Sequence, residues 1–328
     1  MDTKLPTKIL ALLITVVLLA LFFTQINLGD VISTIQNINP IYLISGFFLY
    51  LGTYIFRAWR FHILLNEEVS IKDLFSIECV HNMLNNLLPA RTGELSYIYL
   101  LKTEQNRTTG EALGTLIIAR IFDFIIITIF FLLLFCLLRD LTQSFMVLVF
   151  FGIIFLVLMI AIIIGLLFYG EAMLIRLKKI LVFFDFNIIQ IGTYISTKCE
   201  ETIFCFNSFK ARKTSDHLSV FSLSLGIWSF SYLLFYLIAL SMNIDLGYIP
   251  ILFASSFAVF STVLPIQGIG GFGTMEGGWA LGFIAMGIPK EIAISTGFGF
   301  HLIILMYTLF LGVLGYVKIF LTRKKKSS

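Results

Sequence analysis

The chain has 328 residues, 59% hydrophobic and 13% charged, with a net charge of +4 and a mean hydropathy of +0.98. Soluble domains carry about 25% charged residues, so this chain lacks the polar surface to cover a water-soluble globule of its size. Alternating strand patterns are absent, which argues against a β-barrel, and several apolar runs reach the roughly 20 residues that cross a bilayer as helix.

In chain order, Lys4 and Lys8 precede an apolar run from Ile9 to Phe23. Phe22-Phe23-Thr24-Gln25 offers no small-residue cleavage site, so 8–26 is predicted as a retained membrane helix rather than a signal peptide. The span 41–61 closes on Arg57-Ala58-Trp59-Arg60. Those two arginines are expected to be interfacial anchors beside an aromatic belt residue, with contact to incoming lipid phosphate as the alternative. Next comes an apolar stretch, 74–101, broken at Leu88-Pro89-Ala90-Arg91-Thr92-Gly93-Glu94. Spans 111–137 and 144–169 follow, the first opened by a capping box at Thr108-Thr109-Gly110-Glu111. The connection 170–215 interleaves basic residues with Leu, Ile and Phe and is predicted as amphipathic helix on the inner membrane surface. Span 217–241 precedes a second broken stretch, 249–288, interrupted at Leu264-Pro265-Ile266-Gln267-Gly268 and on through glycines to Glu276. Span 292–318 ends at the basic tail Arg323-Lys324-Lys325-Lys326, a topology signal.

The arms 74–88 and 250–264 reach roughly 22 Å as helix, short of the hydrocarbon thickness. Both broken stretches are therefore predicted as re-entrant hairpins facing the protein interior, since interrupted helix is tolerated only where protein or a wet cavity surrounds it. Of the 23 Lys and Arg, this scheme leaves only Arg139 and Lys290 outside and Arg91 and Arg120 within the membrane. All the others are cytoplasmic, as are both termini, which fits the positive-inside rule. The predicted fold is an all-α polytopic membrane protein of the cell membrane, a single domain over 1–328. It has six full spans plus two re-entrant broken-helix hairpins arranged as an inverted repeat, about 41–137 and about 217–318. Glu94 to Arg120 and Glu276 to His301 are nearly equal spacings, which supports the repeat.

Ionisable groups inside spans are costly and mark either structural ion pairs or a substrate path. Arg120 and Asp123 share a helix face at i,i+3, with Arg120 roughly 14 Å into its helix, near the midplane. Arg91 and Glu94 have the same relation at the first hairpin tip, either capping the break or offering a phosphate contact. Glu78, His81, Asn82, Asn85 and Asn86 line the preceding arm. Glu276 is the one acid of the second tip and is expected to meet Arg91 or Arg120 or a cationic headgroup. The expectation is that Arg91, Arg120, Asp123 and Glu276 line one polar cavity where the tips meet. His301, near the midplane of the last span, reads as a packing residue or a proton relay.

Cys79, Cys136, Cys199 and Cys205 form no C-x-x-C pair and are read as small buried hydrophobes, with no disulfide or metal site. The G-x-G-x-x-G at Gly268–Gly273 lacks the strand and βαβ unit that a dinucleotide site needs. No H-E-x-x-H, G-x-S-x-G or P-loop is present, so neither catalysis nor a cofactor is expected.

Three segments carry a resemblance. Pro89-Ala90-Arg91-Thr92-Gly93-Glu94 resembles a Pro-x-Arg-x-Gly-Glu motif, Arg120-Ile121-Phe122-Asp123 an Arg-x-x-Asp helix, and Pro265 through Glu276 a Pro-x-x-Gly-Gly-x-Gly-x-x-Glu segment. In this order, over about 5–320, they resemble the lysylphosphatidylglycerol synthase transmembrane region family, also called flippase-like or UPF0104. The resemblance implies movement of a phospholipid or polyprenyl-linked lipid headgroup between leaflets. Arg91 and Arg120 would hold the phosphate, and Glu94, Asp123 and Glu276 would balance that charge or bind a cationic headgroup. Glu78, His81, Asn85, Asn86, Arg57, Arg60 and His301 lie along a candidate path. The soluble aminoacyl-transferase domain of the full synthases is not expected, since the chain ends just past the last span. The chain departs from the family at His301, where members often carry Arg. Partners implied are the lipid, the membrane and a lipid-modifying enzyme or glycosyltransferase, with no nucleic acid. The rival readings are an intramembrane enzyme on a lipid-linked substrate and a non-transporting accessory subunit of a membrane glycosyltransferase.

Overall fold

The structure is a computed structural model that describes residues 36–138, 189–263 and 269–327, together with Gly29 and scattered positions between 146 and 165. The predicted spans 8–26 and 144–169, the connection before 189 and the break at 264–268 lie wholly or mostly outside the described residues.

The described chain is helical, with no strand among the described residues. Helix α1 (Pro40–Leu64) starts where Asn39 Oδ1 accepts from the Ile41 N–H at 3.0 Å, with Pro40 at a position that needs no donor. Helix α2 (Ile71–Leu87) is capped by Ser70, whose Oγ accepts from the Asp73 N–H at 3.2 Å. It stops because Pro89 forces Leu88 into extended backbone. A single 3-10 turn, Pro89–Arg91, then reverses the chain into α3 (Glu94–Gln105). Helix α4 (Thr109–Leu137) begins at the predicted cap, Thr108 Oγ1 accepting from the Glu111 N–H at 3.1 Å.

After α5 (Ile189–Lys210) the same order of elements returns: α6 (Thr214–Ser241), α7 (Tyr248–Val263), a 3-10 turn at Ile269–Gly271, α8 (Thr274–Ala285) and α9 (Lys290–Ser327). The short arms match closely, 17 and 12 residues in the first set against 16 and 12 in the second.

A glycine allows close backbone approach in each pair, Gly93 at the start of α3 and Gly282 well along α8. A Cβ at Gly93 would stand 2.2 Å from the Asn85 backbone nitrogen of α2, and one at Gly282 would stand 2.1 Å from the Ala254 carbonyl of α7. Helix α1 lies along α6 and α9 along α2, so each set packs against the other. The turns Pro89–Arg91 and Ile269–Gly271 meet at the centre of this arrangement.

Helices α1, α4, α6 and α9 are long and apolar enough to cross a membrane. Their outward faces carry large exposed apolar side chains such as Phe48, Leu133, Leu225 and Phe310. This is a multi-pass membrane protein. Helix α5, predicted as part of a surface helix, packs on the start of α4 through Glu201, which accepts from the Gly110 N–H at 3.0 Å, and Thr202, which donates to the Gly110 carbonyl at 3.2 Å. The cysteine reading needs one correction. All four thiols are free, but only Cys79 is buried: Cys136 is exposed among the outward apolar residues of α4, and Cys199 and Cys205 on α5 are half-buried.

Candidate functional site

The first centre is a chain of alternating charges built from α1, α2, α4 and the first hairpin tip. Glu94 opens α3, where an acid suits the unpaired N–H groups of a first helical turn. Its Oε1 lies 2.8 Å from Arg91 Nη2 and accepts from Arg120 Nη2 at 3.0 Å. Arg120 in turn reaches Asp123 Oδ2 at 3.5 Å, the i,i+3 contact read from the sequence. Arg91 also reaches across to the other set of helices, donating from Nη1 to the Thr262 carbonyl at 2.7 Å. The side chains of Arg91, Glu94 and Arg120 retain 14%, 29% and 24% of their surface.

Asp123 is held more tightly by a residue the sequence reading placed at the membrane interface. Arg60 donates to Asp123 Oδ1 at 2.6 Å and Oδ2 at 3.4 Å, and to Ser224 Oγ at 2.9 Å. Trp228 Nε1–H adds a bond to Asp123 Oδ1 at 3.0 Å. Arg60 is therefore not an interfacial anchor, because it lies on the buried stripe Thr53–Arg60–Leu64 of α1 and its charge is matched inside the protein. Arg57, one turn earlier, is half-buried, and its buried Nε has no hydrogen-bond partner. Ser224 and Trp228 were not singled out from the sequence.

The arm leading to this centre is polar on one side. Glu78 is buried, with Oε2 accepting from Asn82 at 3.2 Å and Oε1 unpartnered. His81 is buried against the Tyr97 ring with Nδ1 unpartnered, and Asn85 Oδ1 is likewise unpartnered. Asn86 donates back to the Asn82 carbonyl at 2.9 Å. The Nε–H groups of Arg91 and Arg120 also lack partners. Buried donors and acceptors left unmade are costly, so this concentration marks a place that water or a polar ligand can fill. Four guanidinium groups, Arg57, Arg60, Arg91 and Arg120, stand against three carboxylates, Glu78, Glu94 and Asp123. The excess is cationic.

The second centre is separate. Glu276 does not join the arginines as expected. Its Oε1 is 2.6 Å from His301 Nδ1, and its Oε2 accepts from the Gly273 N–H at 2.9 Å, capping its own helix. The reason is local. Glu276 occupies the first turn of α8, and α9 brings His301 over that turn. Both side chains are sealed, at 0% and 1% exposure, with the Phe272 ring 4.6 Å from the imidazole. The predicted cavity therefore gathers Arg91, Arg120 and Asp123 but not Glu276.

The sequence profile described as lysylphosphatidylglycerol synthase TM region matches residues 8–312. A UPF0104 membrane protein of Methanocaldococcus jannaschii is 25% identical over 309 residues, which cover 90% of this chain and 90% of that protein. No solved structure matches.

Proposed function

We propose, for a chain that belongs to the lysylphosphatidylglycerol synthase transmembrane region family, a lipid flippase or scramblase-like activity that carries a phosphate-bearing lipid headgroup between leaflets. The observation that carries this reading is the charge chain Arg91–Glu94–Arg120–Asp123–Arg60 inside a membrane protein. Each such charge costs several kcal/mol in hydrocarbon, so its retention favours a polar route. The inner pair, Arg60 and Asp123, is the scaffold. The outer three groups keep surface, and Arg91 and Arg120 have spare Nε–H donors for a phosphate.

On this reading each hairpin is re-entrant, the two sets are inverted copies, and both termini are cytoplasmic. The repeated element order supports it, as do the pairs Glu94–Arg120 and Glu276–His301, which bond across 26 and 25 residues of sequence. Single cysteines replacing Lys72 or Lys102 in a cysteine-free background should label only from the cytoplasm. Those replacing Tyr248 or Lys290 should label only from outside, and opposite-side labelling within either pair would reject the topology.

The chain performs no chemistry on the lipid in this proposal. Purified protein in liposomes should move a fluorescent phospholipid between leaflets, and Arg91→Ala and Arg120→Ala should each slow it at least roughly tenfold, the size of one lost charge-assisted bond. Wild-type rates in both folded variants would reject the site. Chemical conversion of the lipid would point instead to an enzyme, and activity only beside a glycosyltransferase to an accessory subunit.

A further inference from the structure

The translocation reading uses the first centre and leaves the second unexplained. A carboxylate and an imidazole are sealed together at the foot of α8, one imidazole nitrogen engaged and the other not. A purely structural pair would be complete with Nδ1–H donating to Glu276. Yet His301 Nε2 is buried without a partner and points at the turn, where a Cβ on Gly271 would stand 3.6 Å from it. Gly271 has φ +74° and no side chain, so the backbone there leaves the nitrogen uncovered by any side chain at that position.

We propose that the Glu276–His301 pair is a proton-binding site of the transporter, Nε2 taking the proton and the pair passing from a net charge of −1 to neutral. This rests on the translocation reading and adds an energy source to it. The balance is simple: hydronium from the aqueous phase gives up a proton and is left as water, a new N–H bond forms at Nε2, and Nδ1–H stays bonded to the carboxylate. No bond within the protein breaks. The consequence is electrostatic. The turn beneath His301 packs against the turn that ends in Arg91, so the pair's change of charge takes place beside the cationic tip.

The other ionisable groups around the pair do not compete for this role. Helix α8 carries only Glu276, the turn Ile269–Gly271 none, and α7 only Tyr248 at its start. Helix α6 faces this side with Phe235 against Phe300, and α1 brings Tyr50, bonded to Thr308 farther along α9. Helix α2 contributes Glu78 and His81, whose bonded and stacked neighbours are Asn82 and Tyr97. Arg91 is the cation on the facing turn, and its bonds go to Glu94 and Thr262.

The test has two arms on the full chain in lipid nanodiscs or liposomes. With nitrogen-15-labelled histidine, the His301 signal, assigned by its loss in His301→Gln, should pass from neutral to protonated Nε2 as the folded protein is acidified. Should H301Q not fold, Glu276→Gln assigns the signal by displacing its titration. An imidazole that keeps one protonation state throughout overturns the proposal. In the second arm a pH gradient across liposomes should change net phospholipid movement roughly fivefold or more, and H301Q should lose that response. Movement by wild type that ignores the gradient overturns the proton site while leaving translocation standing. Absence of any movement rejects translocation, and the proposal falls with it, whatever the NMR titration shows about proton binding at the pair.

Discussion

The two hairpins have arms of similar length joined through the same kind of turn, yet their tips carry opposite chemistry. In the first, the turn ends in Arg91, and Glu94 shares two guanidinium groups at a partly open rim. In the second, the turn ends in Gly271, and Glu276 is closed in with a histidine and its own helix cap. Similar arms thus hold one partly open cationic cluster and one sealed carboxylate–imidazole pair. The scaffold accounts for the acid in each first helical turn, since both helices begin with unpaired N–H groups. It does not account for the partners, and there the two hairpins differ.

The largest effect should come from separating scaffold from rim within the first centre. Arg60→Ala leaves Asp123 buried with only the 3.5 Å contact to Arg120 and the Trp228 Nε1–H bond, and leaves the side that Arg60 filled empty. Breaking such a pair costs about 3–5 kcal/mol, so the variant should melt well below wild type in detergent. Arg120→Ala removes a partly exposed partner and should cost less. Equal losses in the two variants would mean that the division into inner pair and open rim is mistaken.

A smaller effect tests whether the hairpins are packed alike. Gly93→Ala and Gly282→Ala each drive a methyl into backbone of the facing arm, and overpacking of this kind costs about 1–3 kcal/mol. Both should lower the unfolding midpoint by similar amounts. A tolerated substitution in one hairpin alone would show that its arms part freely, and the mechanical likeness would fail there.

Much of this was legible in the sequence because it is local. The breaks follow from Pro89 and the glycines, the α4 start from Thr108, and the Arg120–Asp123 contact from helical spacing. The nearly equal spacings are a sign of the repeat, while the bonds between those residues were not anticipated. The Arg60–Asp123 pair spans 63 residues, and no local period reports a partner at that distance. Arg60 did carry a signal, standing seven residues after Thr53 and four before Leu64 on one helix face, but its place near a span end suggested an interface instead. Glu276 was drawn toward the arginines by charge alone. Helix packing gave it His301, because α9 crosses the first turn of α8.

The smallest expected effect is the most discriminating for the comparison. Arg91 has φ +56°, a left-handed backbone that ordinary side chains adopt at a cost of about 1 kcal/mol, while Gly271 at the matching end of the other turn adopts φ +74° freely. Replacing Arg91 with Gly relieves that strain but removes the Glu94 ion pair and the bond to the Thr262 carbonyl. A partly exposed pair and one hydrogen bond are together worth about 1–2 kcal/mol, so the net change in stability should be near zero. Arg91→Ala loses the same contacts and keeps the strain, and should melt lower than Arg91→Gly by about 1 kcal/mol. Lipid movement should nevertheless fall alike in both if the guanidinium and not the backbone serves the phosphate. If Arg91→Gly moves lipid at the wild-type rate, the arginine is not held in a strained position for transport, and the first tip is no more a binding site than the second.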